Sequence, residues 1–465
     1  MYSHSQKMRV VSGVVLCIWL SAIDQTVVLP AIPQIGSSLH GTGTLSWIIS
    51  AYLMTSTVAM PIFGKLSDQF GRRTVLLPAI IFFVLASIVC ALSNSVAMLN
   101  LARALQGIGG GGLVAVSQAS IADVIPPRER GRYQVWFAGT WGVASIAGPI
   151  AGGFLVQSFS WRWIFWINIP FGLLAYILCL RGLSALRAIG RRSAIDYFGA
   201  VLLTVSVAAI LYGLSAGGID SPWLSAPIIA SFGFGALALA ILHAQQSHAT
   251  EPLFPRGVMT TPGYSSAVAI SFLAYAAMFG GIFLMPLLVQ GVLHAGPRTA
   301  GLEVMPFLAV SVFGSYAAGR LIVKFGRTRR LMIGGLSISS LGFAALSSPP
   351  VYTSVWAMMI LFGVAGLGIG LVVPASLVTA QNQFAQGNIG IATSILLLLR
   401  SMGGAFGATI IGALLEHGRG TSAVYSLRLA LSVCAILCVA GALVALSMHD
   451  VQLRSTLEVE STSPP

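Results

Sequence analysis

The sequence predicts an all-α polytopic membrane protein with fourteen spans, and three observations lead there. The 465 residues are 56% hydrophobic and only 8% charged, whereas soluble domains carry about 25% charged residues. Apolar runs long enough for a spanning helix recur from one end of the chain to the other. The basic residues are sorted as well. Of 25 Lys and Arg, four (Arg162, Arg298, Arg419, Arg428) fall in loops on one face, two (Arg103, Arg400) lie within spans, and the other 19 gather on the opposite face. Such a bias marks the cytoplasmic side. It absorbs the net charge of +13 without invoking nucleic acid. A β-barrel is excluded, because the runs are too long and do not alternate.

The runs lie at roughly 10–32, 46–64, 74–93, 96–120, 133–157, 163–183, 197–216, 226–244, 264–291, 299–322, 331–347, 352–374, 388–414 and 429–448. The first follows Lys7 and Arg9 and is read as an uncleaved span, since thirteen more come after it. The even number places both termini in the cytoplasm, in a plasma membrane (the inner membrane of a bacterium). After six spans, residues 1–183, comes the basic stretch "LSALRAIGRRSAIDYFG". Two further spans share the segment 184–262 with this linker, a second group of six occupies 263–449, and a polar cytoplasmic tail covers 450–465. All five cysteines sit within spans; with no histidine beside them they are packing thiols, and no metal is expected.

The two groups of six are related. Gly64–Arg73 reads "GKLSDQFGRR" and, 255 residues on, Gly319–Thr328 reads "GRLIVKFGRT", each after the second span of its group. Repeated six-span halves are a transporter construction, with the substrate site between them near the midplane. "LARALQGIGGGGL", Leu101–Leu113, contains a G-x-G-x-x-G but lies inside a span, where a nucleotide fingerprint needs a preceding strand and an acid about 20 residues on. Its glycines suit close helix packing in lipid instead. Neither H-E-x-x-H nor G-x-S-x-G occurs and no histidine is deep in a span, so an embedded enzyme is the remote alternative.

"GKLSDQFGRR" resembles the loop motif that major facilitator superfamily transporters carry between helices 2 and 3. "RALQGIGGGG" resembles their helix 4 motif, and "GVASIAGPIAGG" (Gly142–Gly153) the helix 5 motif of antiporters. "AIDQTVVLPAIP", "WRWIFWINIP", "LVQGVLHAGPRTAGLEVMP" and "LRSMGGAFGATIIG" are similar to stretches of the fourteen-span drug:proton antiporter branch. The resemblance implies the major facilitator fold, two six-helix halves plus two extra central helices. It also implies proton-coupled export of small amphipathic or cationic compounds by alternating access. The alternatives within transport are a dedicated metabolite or toxin exporter and a proton-linked importer. No cofactor is expected beyond the proton gradient; the expected partners are substrate, protons and lipid, with the protein monomeric.

Three groups of residues are candidates. Asp24 is the only acid deep in a span, and Arg103 lies at similar depth on a helix running the opposite way, so the two are expected to pair. With Gln106 and Arg400 they form the candidate proton and substrate coupling set. Helix–helix hydrogen bonding explains Gln106 equally well, and Arg400 is expected to face anionic groups or the same cavity. Gly142, Gly148, Pro149, Gly152 and Gly153 are expected to weaken or kink the fifth span and to pack it closely against its repeat mate; by resemblance this is a gate. Asp68 is expected at a helix N-terminus of the opposite half and Arg72 paired to Asp123; by resemblance Gly64, Asp68, Gly71, Arg72, Arg73 and Asp123 form a cytoplasmic latch. Because Val323 stands where Asp68 would repeat, the latch is expected on one side only. Glu303, near the outer surface beside Arg298, is as well explained by solvent as by function.

Overall fold

The computed structural model describes residues 3–39, 45, 47–185, 196–217, 221–248, 257–293, 304–348, 354–384, 388–417, 423–449 and 452–453. Glu303, Arg298, Arg419 and all of the 450–465 tail except Gln452 and Leu453 lie outside them. Hydrocarbon offers no partner for backbone N–H and C=O groups, so each apolar run closes its own hydrogen bonds as a helix. In order these are α1 (His4–Val27), the short α2 (Ile32–Ser38), α3 (Trp47–Phe70), α4 (Arg72–Ala91), α5 (Val96–Val124), α6 (Pro127–Ser158) and the pair α7 (Trp163–Trp166) and α8 (Asn168–Gly182). Next come α9 (Tyr197–Ala216), α10 (Ala226–His248), α11 (Pro262–Leu293), α12 (Met305–Phe325), α13 (Arg329–Leu346), α14 (Val355–Asn382), α15 (Ile389–His417) and α16 (Ala423–Ser447). Among the described residues the only extended pairing is an isolated bridge between Gly217 and Ser221.

Within the described residues every run expected to span is helical, and eleven helices are long and apolar enough to cross a membrane. The other three are more polar or shorter: α5 carries Arg103 and its glycines, α13 begins on Arg329 and Arg330, and α9 offers a 17-residue apolar stretch, Phe198–Leu214. Helix starts follow the local sequence. Ser3 and Gln6 form a reciprocal capping box on α1, and the Ser95 and Ser354 hydroxyls accept the backbone N–H of Met98 and Ala357 to open α5 and α14.

Each half has its own apolar core. Ile18, Leu76, Phe83 and Leu113 pack in the first, and Phe307, Met332, Phe343 and Phe362 in the second. The halves meet where the second helix of each lies along the fifth of the other, α3 on α15 and α12 on α6. The repeated sequence explains the symmetry. A Cβ on Gly64 would stand 2.1 Å from the Ser394 Oγ of α15, and one on the equivalent Gly319 2.3 Å from the Gly131 carbonyl oxygen of α6. The second repeated glycine makes the turn after each helix: Gly71 and Gly326 have φ of 90° and 63°, values that favour glycine. Of the extra helices, α10 packs on α9, and α9 lies against the seam between α3 and α15. There Leu203, Val207 and Leu211 meet Val58 and Leu398, Tyr212 stacks on Trp47 at 5.8 Å, and the Thr409 hydroxyl donates to the Leu214 carbonyl at 3.0 Å.

Candidate functional site

Four helices of the first half, α3, α4, α5 and α8, gather around Asp24 of α1, which has no solvent exposure. Arg103 of α5 donates from Nη1 to Asp24 Oδ2 at 2.5 Å, and from the same nitrogen to Gln106 Oε1 at 2.7 Å. Its Nε donates to the Ile48 carbonyl at 3.1 Å, and its guanidinium lies 4.3 Å from the Tyr52 ring centre. Asp24 Oδ1 accepts from Gln106 Nε2 and from Asn168 Nδ2, both at 2.8 Å. Ser87 accepts from the same two amides at 2.6 and 3.2 Å, and passes its own proton to the Phe83 carbonyl. A lone arginine or carboxylate at this depth is costly, so the network satisfies both charges internally. The Asp24 carboxyl group therefore accepts from three donors, and the Oδ1 of Asn168 is a buried oxygen without a partner.

Gln106 belongs to this cluster and Arg400 does not. Arg400 sits on α15 in the other half, with its guanidinium 4.5 Å from the Tyr275 ring centre. The expectation that it shares the Asp24 cavity is corrected by the geometry: the Asp24 network is closed within α1, α3, α4, α5 and α8. Sequence reasoning missed Ser87 and Tyr52. A lone serine or tyrosine in an apolar span carries no signal until its neighbours are known.

The second constellation lies at the basic end. Arg72 donates from Nε and Nη2 to the two carboxylate oxygens of Asp123 at 2.7 and 3.3 Å, and its Nη1 reaches Asp68 Oδ1 at 2.6 Å and the Ser67 hydroxyl at 2.5 Å. Asp68 in turn accepts the backbone N–H groups of Gly390 and Ile391 at 3.0 and 2.8 Å. It thus bridges α3 of one half to the N-terminus of α15 in the other, where orphan N–H groups and the helix dipole favour an anion. Gly390 allows the approach, since a Cβ there would stand 2.4 Å from both Arg72 and Asp68. Gly64 and Gly71 hold the helix contact and the turn. Arg73 is exposed and stands outside this network.

The opposite seam is not bare, which corrects the expectation of a one-sided latch. Val323 lacks a side-chain charge, but its carbonyl, one of the unsatisfied groups at the C-terminal end of α12, accepts from Arg128 Nε of α6 at 3.0 Å. The polarity is reversed: an acid meets a helix start on one seam, and a guanidinium meets a helix end on the other. Buried Arg130, next in line, donates to the Ile125 and Ala122 carbonyls at 2.8 and 2.7 Å and reaches Gln381 of α14 at 3.5 Å. Within "RERGR" nothing in residue type or spacing separates these arginines from their neighbours.

The fifth span, α6, also differs from expectation. It continues as one helix past Pro149, and what differs is its partner: it packs on α12 and α1 instead of its repeat mate α15. Gly142 faces Val312 of α12, while a Cβ on Gly148 would stand 2.0 Å from Thr26 Oγ1 and one on Gly152 2.3 Å from the Val27 carbonyl. Thr26 donates to the Ala144 carbonyl at 2.9 Å, tying α1 to α6. Gly153 meets no atom within 4 Å, so it makes no close approach.

A bundle of this topology, with duplicated halves and a buried acid–arginine network, has the architecture of a membrane carrier, and the family profile of the Major Facilitator Superfamily matches residues 14–244 and 267–461. The chain belongs to that superfamily, whose fold is that of transporters and not of enzymes. Among its relatives is the multidrug transporter protein MdtP of Bacillus subtilis, 32% identical over 417 residues, covering 90% of this chain and 77% of the relative. The efflux pump dotC of Dothistroma septosporum is 33% identical over 397 residues, covering 84% and 68%. The solved structure of the proton:xylose symporter XylE superposes with a TM-score of 0.66 over 95% of both chains at 16% identity, a likeness of fold.

Proposed function

We propose that this chain is a proton-coupled exporter of small amphipathic molecules that works by alternating access, with Asp24 as its proton site. The observation that carries the reading is the enclosed set Asp24, Arg103, Gln106 and Asn168. A coupled carrier needs a titratable group whose surroundings change through the cycle. Here the three donors around Asp24 come from helices α5 and α8, while α1, which carries Asp24, is tied to α6 through Thr26. Relative movement of α1 and α5 separates carboxylate from guanidinium and lets a proton replace the cation. The multidrug and efflux relatives support the direction of transport. The contacts at the basic end, Asp68 on α15 and Arg128 on α12, hold that end closed, so the substrate path opens at the other face, the outer one by the sorting of basic residues.

The test is uphill accumulation of ethidium or naphthalenesulfonate by proteoliposomes under an imposed pH gradient at clamped voltage. Accumulation that collapses with a protonophore is the expected result. Transport of a probe down its own gradient, indifferent to pH, would leave a facilitator and remove the proton from the mechanism.

A further inference from the structure

We infer that Arg400, Tyr275 and Phe279 form a substrate subsite in the second half that takes an aromatic ring bearing an anionic head, a carboxylate or a sulfonate. The inference rests on the export reading for its purpose, though not for its chemistry. Along α15 every residue from Ile389 to Leu398 is buried, where the helix packs on α3 and α5. Arg400 comes at the next turn, half-buried, just past the closed basic end. The α15 face turned toward α11 holds Gly403, Gly404 and Gly407; a Cβ on Gly403 would stand 2.3 Å from the Phe272 carbonyl and one on Gly404 2.9 Å from Phe279. These glycines draw the aromatic side of α11 against the arginine.

The resulting ledge has two rings and one cation. The Arg400 guanidinium lies 4.5 Å from the Tyr275 ring centre, and Phe279, one turn further along α11, sits 5.9 Å from Tyr275 at an interplanar angle of 33°. Phe279 remains 42% exposed. Stacking satisfies one face of the guanidinium and leaves its N–H edge without an acceptor among the described residues. Neither α11 nor α14 contains an acid, and Glu416 on α15 is sixteen residues from Arg400, about 24 Å along the helix. This differs from Arg103, whose nitrogens are met by Asp24, Gln106 and Ile48.

An arginine at this depth requires a polar partner. Arg400 is eleven residues from the start of α15 and seventeen from its end, about 17 and 25 Å, too deep for a lipid phosphate. The partner that fits is a ligand anion, held side-on by the planar fork, whose ring extends over Tyr275 and Phe279. The described buried acids of the helices are already engaged, Asp24 by Arg103 and Asp68 and Asp123 by Arg72. The structure thus offers a free cation to substrate and no free carboxylate, so the cationic part of the sequence expectation gives way to an acidic amphiphile.

The experiment is equilibrium binding to purified protein without any gradient, using naphthalenesulfonate and its neutral counterpart naphthalenesulfonamide. Wild type is expected to hold the sulfonate about ten-fold or more tightly than the sulfonamide, the worth of a charge-assisted hydrogen bond. Arg400→Gln should abolish that preference while leaving sulfonamide binding within about two-fold. Arg400→Lys should keep part of it, and Tyr275→Ala should weaken both ligands. Equal affinity of wild type for the two ligands, or an equal loss of both in Arg400→Gln, overturns the subsite and leaves Arg400 a helix-packing residue. The assay runs without a gradient, so loss of the sulfonate preference in Arg400→Gln and absence of proton-driven transport by wild type are separate outcomes.

Discussion

Asp24 and Arg103 are the two charges that the bilayer tolerates only together. Removing one strands the other, a change that costs about 3–5 kcal/mol for a buried pair, but the site has neutral supports that soften the loss. Gln106 and Asn168 still reach Asp24 Oδ1 when Arg103 is gone. Arg103→Ala is therefore expected to fold and to lose most of its uphill export while still equilibrating the probe down its own gradient, because the carboxylate no longer exchanges cation for proton through the cycle. Transport with and without an imposed pH gradient checks this; an equal loss of both modes would assign Arg103 a packing role. A protonated Asp24 needs an acceptor, and turning the Asn168 amide would present its unpartnered Oδ1.

The helices show what close approach does. Gly148 touches Thr26 and Gly152 touches the α1 backbone, so α6 is glycine-rich where it crosses α1. Gly148→Val with Pro149→Ala should leave the protein in the membrane and reduce export at least about ten-fold, because an added side chain forces the two helices apart. Normal export by this double variant, with membrane amounts matched by blotting, would show that the α1–α6 contact has no part in gating. Gly153→Ala, which meets open space, is the control and should be silent.

Much of this was legible in the sequence. Helix positions follow from apolar length alone, and the Gly64/Gly319 and Gly71/Gly326 repeats mark a packing contact and a turn that appear in both halves. The Asp24–Arg103 pair followed from depth and scarcity of charge, and the Arg72–Asp123 pair from both residues lying at the basic end. The partner of α6 did not, because a glycine stripe signals close packing without saying against what. Nor did Arg128, since its acceptor is a backbone carbonyl and every residue has one. Arg400 was visible as a buried charge, but the Tyr275 ring beneath it depends on how α11 lies along α15.

The whole molecule is two bundles joined at one end by two seams of opposite polarity. Asp68 holds the start of α15, and Arg128 holds the end of α12. The seams share no residue, so their contributions should add. Asp68→Asn and Arg128→Gln are each expected to slow export by about three- to ten-fold while binding of naphthalenesulfonate in detergent stays within about three-fold, because they bias the closed state without touching substrate. The double variant should show the product of the two losses. A double no worse than Asp68→Asn alone would mean that the Arg128 seam carries no load.

All of these effects converge on one proton. The direct measurement is proton release from purified protein in weakly buffered detergent on adding whichever of ethidium and naphthalenesulfonate it binds, for wild type and Asp24→Asn. Wild type should release protons with a stoichiometry that depends on pH, and Asp24→Asn should release none while still binding the probe. Equal release from both proteins would remove Asp24 from the coupling mechanism and leave its pairing with Arg103 a structural tie between α1 and α5.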